Sequence, residues 1–448
     1  MKLQDLNGKK VAIWGAGREA TTLCRAIKLR GVQADIAIYD ESGNDSQPIS
    51  NITPTSDFSA VENADVVVLS PGVSRYRAEV MSLSPKLTSA TDLFFGEGYE
   101  HVIGVTGTKG KSTTSALIAH LLAATGLTTQ LAGNIGRSPI DYVNDGDPPD
   151  WWVLELSSFQ TSSLNDSPQI GVFTTLSPEH LDWHGSFERY RTDKLNMFAH
   201  KPNMTSVVNV DDPTLSQLAD RLPNPIKVGA NQEQSSPGGV VVKNGSFYVD
   251  GKELFSTDAL RLLGRHNKKL ACLALSAVGA TGVDLHALRT TIANALFAFE
   301  PLAHRLSPIA TINGVSYVDD GLATTPIAAM AALDAFDTQR ITILLGGYDR
   351  GASYKDLCAM IGGLEHVQVI TMPANGPQIG ALLVEANPDA KDRLHEATSL
   401  EDAVKKAAEI TPEGGVVLLS PAAASFGAFR DYVERSEAFT RYVLQLSE

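Results

Sequence analysis

Cysteine is scarce in this chain: Cys24, Cys272 and Cys358 are its three cysteines among 448 residues. They lie too far apart in sequence for a CxxC pair or a metal-ligand spacing, so neither a disulfide framework nor a zinc cluster is expected. Buried or inert thiols in a reducing compartment are the reading instead. Positive charge is also in deficit, with 37 Lys and Arg against 51 Asp and Glu and a formal net charge of −14. A nucleic-acid or anionic-membrane partner needs a basic surface to displace counterions, so neither is expected. An acidic small-molecule substrate stays open, provided a few Lys and Arg are concentrated at its site. Long apolar runs are missing too. No stretch approaches membrane-spanning length, and the opening "MKLQDLNGKKVAIWG" lacks the apolar segment of a signal peptide. A cytoplasmic protein without membrane insertion is expected. There is no internal repeat, and the richest linker-like stretch, "NQEQSSPGG" at 231–239, is short.

What the chain does have is a regular alternation of short apolar runs with helix-period segments. That pattern predicts α/β architecture with mainly parallel sheets. The length suggests about three domains, and boundaries near residues 97 and 303 give blocks 1–97, 98–303 and 304–448. Strands are expected at "KVAIWG", "ADIAIYD" and "ADVVVLSPG" in the first block, with a helix at "REATTLCRAIKLRG". The second block has "HVIGVTGT", "WWVLELSS", "IGVFTTLS" and "TSVVNVDD", and the third "GVSYVDD", "RITILLGG", "VQVITM" and "GGVVLLSP". Within the second, "GGVVVKNGSFYVDG" reads as an antiparallel hairpin turning at Asn244-Gly245 in a type I′ turn.

Two glycine loops carry the chemistry. "GAGREA", Gly15 to Ala20, follows a strand and opens a helix, where a G-x-G-x-x-G fingerprint belongs. Gly15 would permit the tight turn, Gly17 would let backbone approach a diphosphate, and the helix N-terminus supplies N–H donors. Asp40, ending the next strand, could accept ribose or sugar hydroxyls. Alone the signal is weak. A ligand-free βαβ turn looks the same, and a nicotinamide dehydrogenase would leave the second loop unexplained.

That second loop is "GTKGKST", Gly107 to Thr113, again between a strand and a helix. Gly107 and Gly110 let backbone N–H groups converge on phosphate oxygens, Lys111 would neutralise the β- and γ-phosphates, and Ser112 would reach Mg2+. A strict Walker loop wants glycine where this chain has Val105, so the loop is a shorter variant. Glu155 ends the strand "WWVLELSS" and is expected at the same sheet edge. "LSPEHLDWHGSFERYRTDK" gathers Glu179, His180, Asp182 and His184 in one turn-rich segment, a candidate polar site. Lys194 follows on a helix, where on its own it reads as a solvated lysine.

Together these stretches resemble the Mur ligases, ATP-dependent amide ligases of peptidoglycan precursor synthesis. The marks are "GVTGTKGKST", "GNIG", "LELSSFQ", "EHLDWH", "DK" at 193–194, "GRHN", "HR" at 304–305 and "LLSPAAASF". "LELSSFQ" with "SPAAASF" points to the member that adds glutamate to UDP-N-acetylmuramoyl-L-alanine. The resemblance implies three domains: a Rossmann-like one for the UDP substrate, a central P-loop ATPase, and a Rossmann-like one for glutamate and nucleotide. It implies ATP held by Gly107, Thr108, Gly110, Lys111, Ser112 and Thr113, with Asn267, Arg305 and Asp320 also on the nucleotide. It implies Mg2+ on Ser112 and Glu155, and a second Mg2+ on His180 and on Lys194 carbamylated by CO2; Lys111, His180 and Lys194 would be catalytic. The UDP substrate would meet Gly15, Gly17, Asp40, Ser70 and Gly72, with Asn134 near the ATP site. Glutamate would meet Thr324, Arg350, Ser425 and Tyr432. The implied reaction runs through an acyl phosphate shielded from water by domain closure, in a monomer.

The chain departs from the family pattern where the amino acid is received. "DDGLATTP" has Leu322 at a common lysine position and Pro326 further on, "GGYDRGASY" has Arg350 where many members place lysine, and "SPAAASFGAF" has Ala423 and Gly427 where cysteine and aspartate are common. These changes resemble a branch that adds L-glutamate, with a downstream epimerase inverting it in the product; neutral drift on a D-glutamate enzyme is the alternative. More distant readings are a folylpolyglutamate synthase-like ligase and a non-catalytic nucleotide-binding protein.

Overall fold

Val11, Ala12, Ile13 and Trp14 are buried together because their strand, β1 (Lys10–Trp14), is paired on both edges. The computed structural model describes residues 1–41, 48–143, 146–230, 235–262, 264–300, 303–336, 339–349 and 351–447. In the first sheet β2 (Asp35–Tyr39), β1, β3 (Val66–Leu69) and β4 (Leu87–Thr88) lie in the order β2-β1-β3-β4, all parallel.

The second sheet holds β5 (Val102–Thr106), β6 (Thr129–Gly133), β7 (Trp151–Glu155), β8 (Ile170–Phe173), β9 (Thr205–Asn209) and β10 (Pro225–Val228). Their order is β10-β9-β8-β5-β7-β6, and every pair is parallel. Strands β5, β7 and β8 are buried along their whole length, as parallel strands covered on both faces must be, which is why they read as unbroken apolar runs. The chain leaves β5 for β6 on one side and returns to β8 on the other. The C-terminal end of β5 is therefore a topological switch point, where an open α/β sheet makes its crevice.

A three-stranded antiparallel sheet follows: β11 (Val241–Lys243), β12 (Ser246–Val249) and β13 (Lys252–Ser256). Lys243 pairs with Ser246, and Asn244 and Gly245 both take positive φ, 50° and 78°, as a type I′ turn requires. The second turn, Asp250-Gly251, uses the same device with φ of 48° and 77°. The last sheet is β14 (Ser307–Ile312), β15 (Val315–Asp319), β16 (Ile341–Leu345), β17 (Val367–Thr371), β18 (Leu394–Glu396) and β19 (Val416–Leu419), ordered β14-β15-β19-β16-β17-β18. Only β14 runs antiparallel in it. The architecture is thus α/β with mainly parallel sheets, as the alternation predicts.

The chain forms two compact units, one of Met1–Leu260 with Lys269–Phe299 and one of Arg261–Lys268 with Glu300–Glu448. In the first, packing is continuous past residue 97: Phe94 and Tyr99 each place a ring 5.0 Å from Trp152. Asp92 also accepts hydrogen bonds from the backbone and side chain of Asn165, at 2.9 and 3.0 Å. All three cysteines are buried and outside any disulfide. Burial pushes the Cys24 and Cys358 thiols up to about 11 and Cys272 to about 12, which keeps them protonated and unreactive. Among the described residues no helix is long and apolar enough to cross a membrane.

Candidate active site

Strand β5 ends at Thr106, and the chain then turns through Gly107 to Gly110 into the helix Lys111–Ala124. Gly107 has φ +150° and Gly110 +83°, the second as N-cap, so both need glycine. Val105 is an interior strand residue, which is why the loop is shorter than the Walker spacing. A Cβ on Gly107 would fall on Thr174 Oγ1 and within 2.9 Å of the Thr175 nitrogen. Gly107→Ala is therefore expected to destabilise the fold by about 1–3 kcal/mol, read as a lower midpoint in denaturant unfolding.

The loop is clamped by neighbours distant in sequence. Thr108 Oγ1 donates to the Ser177 carbonyl at 3.1 Å and shares a 2.9 Å hydrogen bond with Tyr190 Oη. The Lys109 amide donates to Thr175 Oγ1 at 2.9 Å, and its Nζ pairs with Glu179 Oε1 at 2.7 Å. Lys111 curls back, its Nζ donating to the Gly107 and Thr108 carbonyls at 2.9 Å each. Ser112 stands in the first turn, half-buried, and Thr113 beside it is buried.

Lys194 lies on the helix Phe187–Leu195 and is 1% exposed, not solvated. Its Nζ donates to the same Gly107 carbonyl at 2.8 Å. Burial, with Lys111 nearby, holds its ammonium well below the usual lysine range against the pull of Glu179, Glu155 and Asp193. Two amines meeting at one carbonyl in a buried loop leave the site short of negative charge. Glu155, at the end of β7, is 2% exposed. Its Oε1 accepts from Asn134 Nδ2 at 2.8 Å, while Oε2 is buried and has no hydrogen-bond partner. An orphaned carboxylate oxygen beside a phosphate-type loop is the donor a hard cation would take. No group of three His, Cys, Asp or Glu converges among the described residues.

His180 caps the helix Leu181–His184 from a left-handed conformation, φ 54°. Burial, with Lys111 and Lys194 nearby, holds its imidazole below the usual range against the pull of Glu179. Glu179 lies 3.9 Å from its Nε2. Burial would raise the Glu179 carboxyl, but the charge and hydrogen bond of Lys109, with His180 and Lys111, together bring the net shift downward.

At the first glycine loop, Gly15 has φ +109°, and a Cβ there would meet Ser70 at 2.8 Å. Ser70 Oγ donates to the Gly15 carbonyl at 3.2 Å, and Asp40 Oδ2 accepts the Ala16 N–H at 2.8 Å. Space beside Gly17 and Gly72 is open. Near them a cavity of about 290 Å³ is lined by Glu19, Ser70, Arg75, Ser89 and Gln160. Burial pushes the Glu19 carboxyl up to about 7.

In the second unit, Asp320 is buried at the end of β15, accepting from Ser420 Oγ at 2.8 Å and the Leu306 amide at 3.2 Å. Burial pushes its carboxyl up to about 7, with Arg305 among the groups that lower it. Asn267 is buried and its amide donates to the Gly264 carbonyl at 3.2 Å. Thr324 is half-buried and Ser425 buried, while Tyr432 opens the helix Tyr432–Gln445 with its ring 5.9 Å from His304. Arg350 lies outside the described residues. Sequence reasoning passed over Arg435, 2% exposed, whose guanidinium donates to the Ala423 and Gly321 carbonyls at 3.0 Å each. Ser158 and Asp193, which stand in "LELSSFQ" and "DK" without a role assigned there, are hydrogen-bonded to either side of the buried His184 ring. Nothing in their spacing signals those contacts.

A glycine loop at the switch point of a parallel sheet, with lysines converging on it and an acidic strand end beside it, defines a P-loop type of nucleotide-binding protein. Residues 105–278 match the Mur ligase middle domain, and residues 304–423 match the Mur ligase, glutamate ligase domain. The UDP-N-acetylmuramoyl-L-alanine–L-glutamate ligase of Salinispora tropica is 42% identical, covering 99% of each chain. The enzyme of the same name from Xanthomonas axonopodis pv. citri is 37% identical over 98% of this chain and 96% of its own. Among solved structures, the UDP-N-acetylmuramate–alanine ligase of Thermotoga maritima shares the fold at a TM-score of 0.59 and 19% identity, covering 98% of this chain and all of that one. The chain belongs to the Mur ligase family.

Proposed function

We propose that this chain is an ADP-forming amide ligase that adds L-glutamate to UDP-N-acetylmuramoyl-L-alanine. One observation carries the reading: Lys111 and Lys194 donate to the same loop carbonyl while a buried oxygen of Glu155 stands unbonded. Such a site is built to receive phosphates, a cation and one further anion. ATP would be held by Gly107, Thr108, Gly110, Lys111, Ser112 and Thr113, with Asn267, Arg305 and Asp320 on the nucleotide. The division of labour follows residues 1–97 for the UDP moiety, through Gly15, Gly17, Asp40, Ser70 and Gly72, 98–303 for ATP and 304–448 for glutamate. Asn134 would lie on the substrate, and Thr324, Ser425 and Tyr432 on the amino acid.

Bound Mg2+ would neutralise charge on the transferring phosphoryl group. Ser112 and Glu155 are the residues that would hold one such ion, and His180 and Lys194 a second. Lys194 suits this only as an anion. Its depressed basicity supports a neutral amine that attacks CO2, forming a C–N bond and losing a proton to give a carbamate. The alanine carboxylate then takes the γ-phosphoryl group, ADP leaves, and the amine of glutamate displaces phosphate from the acyl phosphate. Lys111 stabilises charge during the first transfer.

The L-enantiomer is favoured by the relatives, whose names specify L-glutamate, and by the cluster of Leu322, Pro326, Arg350 and Gly427 in the receiving domain. Inverting the α-carbon moves the amine if the side-chain carboxylate stays anchored, so the pocket must move its positive charge to keep the attack aligned. Ligation assays with each pure enantiomer are expected to show higher kcat/KM for L-glutamate. A tenfold or larger preference for D-glutamate, about 1.4 kcal/mol, would overturn the stereochemical assignment and leave the ligase intact; no ADP release with either would sink both. The product would then go to an epimerase.

A further inference from the structure

We infer that Tyr76 is a positioning residue for the Lys194 site, acting from a half-buried position through a hydrogen-bond chain, buried at Asp193, His184 and Ser158, that ties together the four segments the reaction uses. The Tyr76 hydroxyl donates to Asp193 Oδ1 at 2.6 Å. Asp193 Oδ2 meets His184 Nδ1 at 2.5 Å, and His184 Nε2 meets Ser158 Oγ at 3.0 Å. The carboxylate holds the proton on Nδ1, so Nε2 accepts from the serine hydroxyl.

Each member stands within four positions of a residue of the proposed chemistry. Tyr76 follows the Ser70–Gly72 turn, and Ser158 opens the helix Ser158–Thr161 just after Glu155. His184 closes the helix that His180 caps, and Asp193 immediately precedes Lys194. His184 is 0% exposed, Ser158 2% and Asp193 4%. A buried polar chain of this kind is costly unless every member is satisfied, and apolar packing would hold four segments at least as firmly. What the chain adds is direction. It fixes the rotation of the helix Phe187–Leu195, and so the aim of Lys194 at the Gly107 carbonyl. The junction is reinforced where Ser74 Oγ donates to the Trp183 carbonyl at 2.7 Å, the Trp183 ring meets Tyr76 edge-on at 5.9 Å, and the Arg189 guanidinium lies 4.9 Å over the Tyr76 ring.

The inference rests on the ligase reading, and the test separates the two. Tyr76→Phe keeps the ring contacts and removes only the hydroxyl. Lys194 then loses its aim, and kcat is expected to fall roughly tenfold or more, with KM for the UDP substrate unchanged and the melting temperature lowered only as the loss of one hydrogen bond to Asp193 requires. The far-downfield proton resonance of the His184–Asp193 hydrogen bond should also move. Raised KM with unchanged kcat would overturn the inference by placing Tyr76 on substrate, and so would unchanged kcat with an unmoved resonance. If wild-type protein shows no ligation the function fails, yet the resonance still reads the chain: a shift in Tyr76→Phe supports it and none overturns it. Should that variant not fold, 3-fluorotyrosine at position 76 perturbs the same hydroxyl in place, and kcat and the resonance decide as before.

Discussion

Lys111→Ala is expected to slow ADP release by roughly a hundredfold or more, a loss of several kcal/mol of transition-state stabilisation. The Nζ of Lys111 rests on the carbonyls of Gly107 and Thr108, in the glycine loop between β5 and the helix Lys111–Ala124. Both carbonyls are weak substitutes for phosphate oxygens. Nucleotide binding would draw the ammonium onto them, and its value would be greatest as negative charge shifts between the γ- and β-phosphates. Lys109 cannot take over, because its Nζ is engaged by Glu179. Coupled-enzyme measurement of ADP formation checks this, and activity within tenfold of wild type would remove Lys111 from the proposed role.

Lys194→Ala is expected to be nearly inactive and partly restored by added carbonate or small carboxylates. An ammonium at this position would repel Mg2+, whereas a carbamate supplies the anionic oxygens that a hard cation prefers. The structure adds a second expectation. A lysine that is 1% exposed and bonded mainly to carbonyl and hydroxyl oxygens gains little from its charge, so methionine there, which keeps most of the volume without the charge, should leave thermal stability nearly unchanged. Loss of activity without loss of stability separates a site lysine from a structural one. Mass spectrometry showing only unmodified lysine in an active, metal-loaded enzyme would refute the carbamate.

Most parallel strands were legible because burial on both faces forces unbroken β-branched runs, as in "VIGVT" and "WWVLE". Strands β4, β6, β10 and β18 were not. They carry intermediate or exposed positions, and their partners rather than their composition make them strands. Strand β14 was hidden for another reason. It lies on an edge, carries Pro308, and alternates between exposed and half-buried. Only its Asn313-Gly314 turn, with φ of 51° and 76°, marks the hairpin.

The amino-acid sequence by itself determined the glycine loops and the helices that open from them, because a loop of this kind is local: strand, turn and helix N-terminus are consecutive in the chain. Tertiary structure decided everything that depends on which distant segments meet. Lys194 reads alone as a solvated helix lysine, and only the packing of its helix against the loop buries it beside Gly107, 87 positions away. Glu155 reads as one strand-end carboxylate among many, and only its neighbours leave one oxygen without a partner. His184 finds Ser158 across 26 positions. Charge, burial and hydrogen-bond satisfaction belong to the contact set, and no local pattern encodes it.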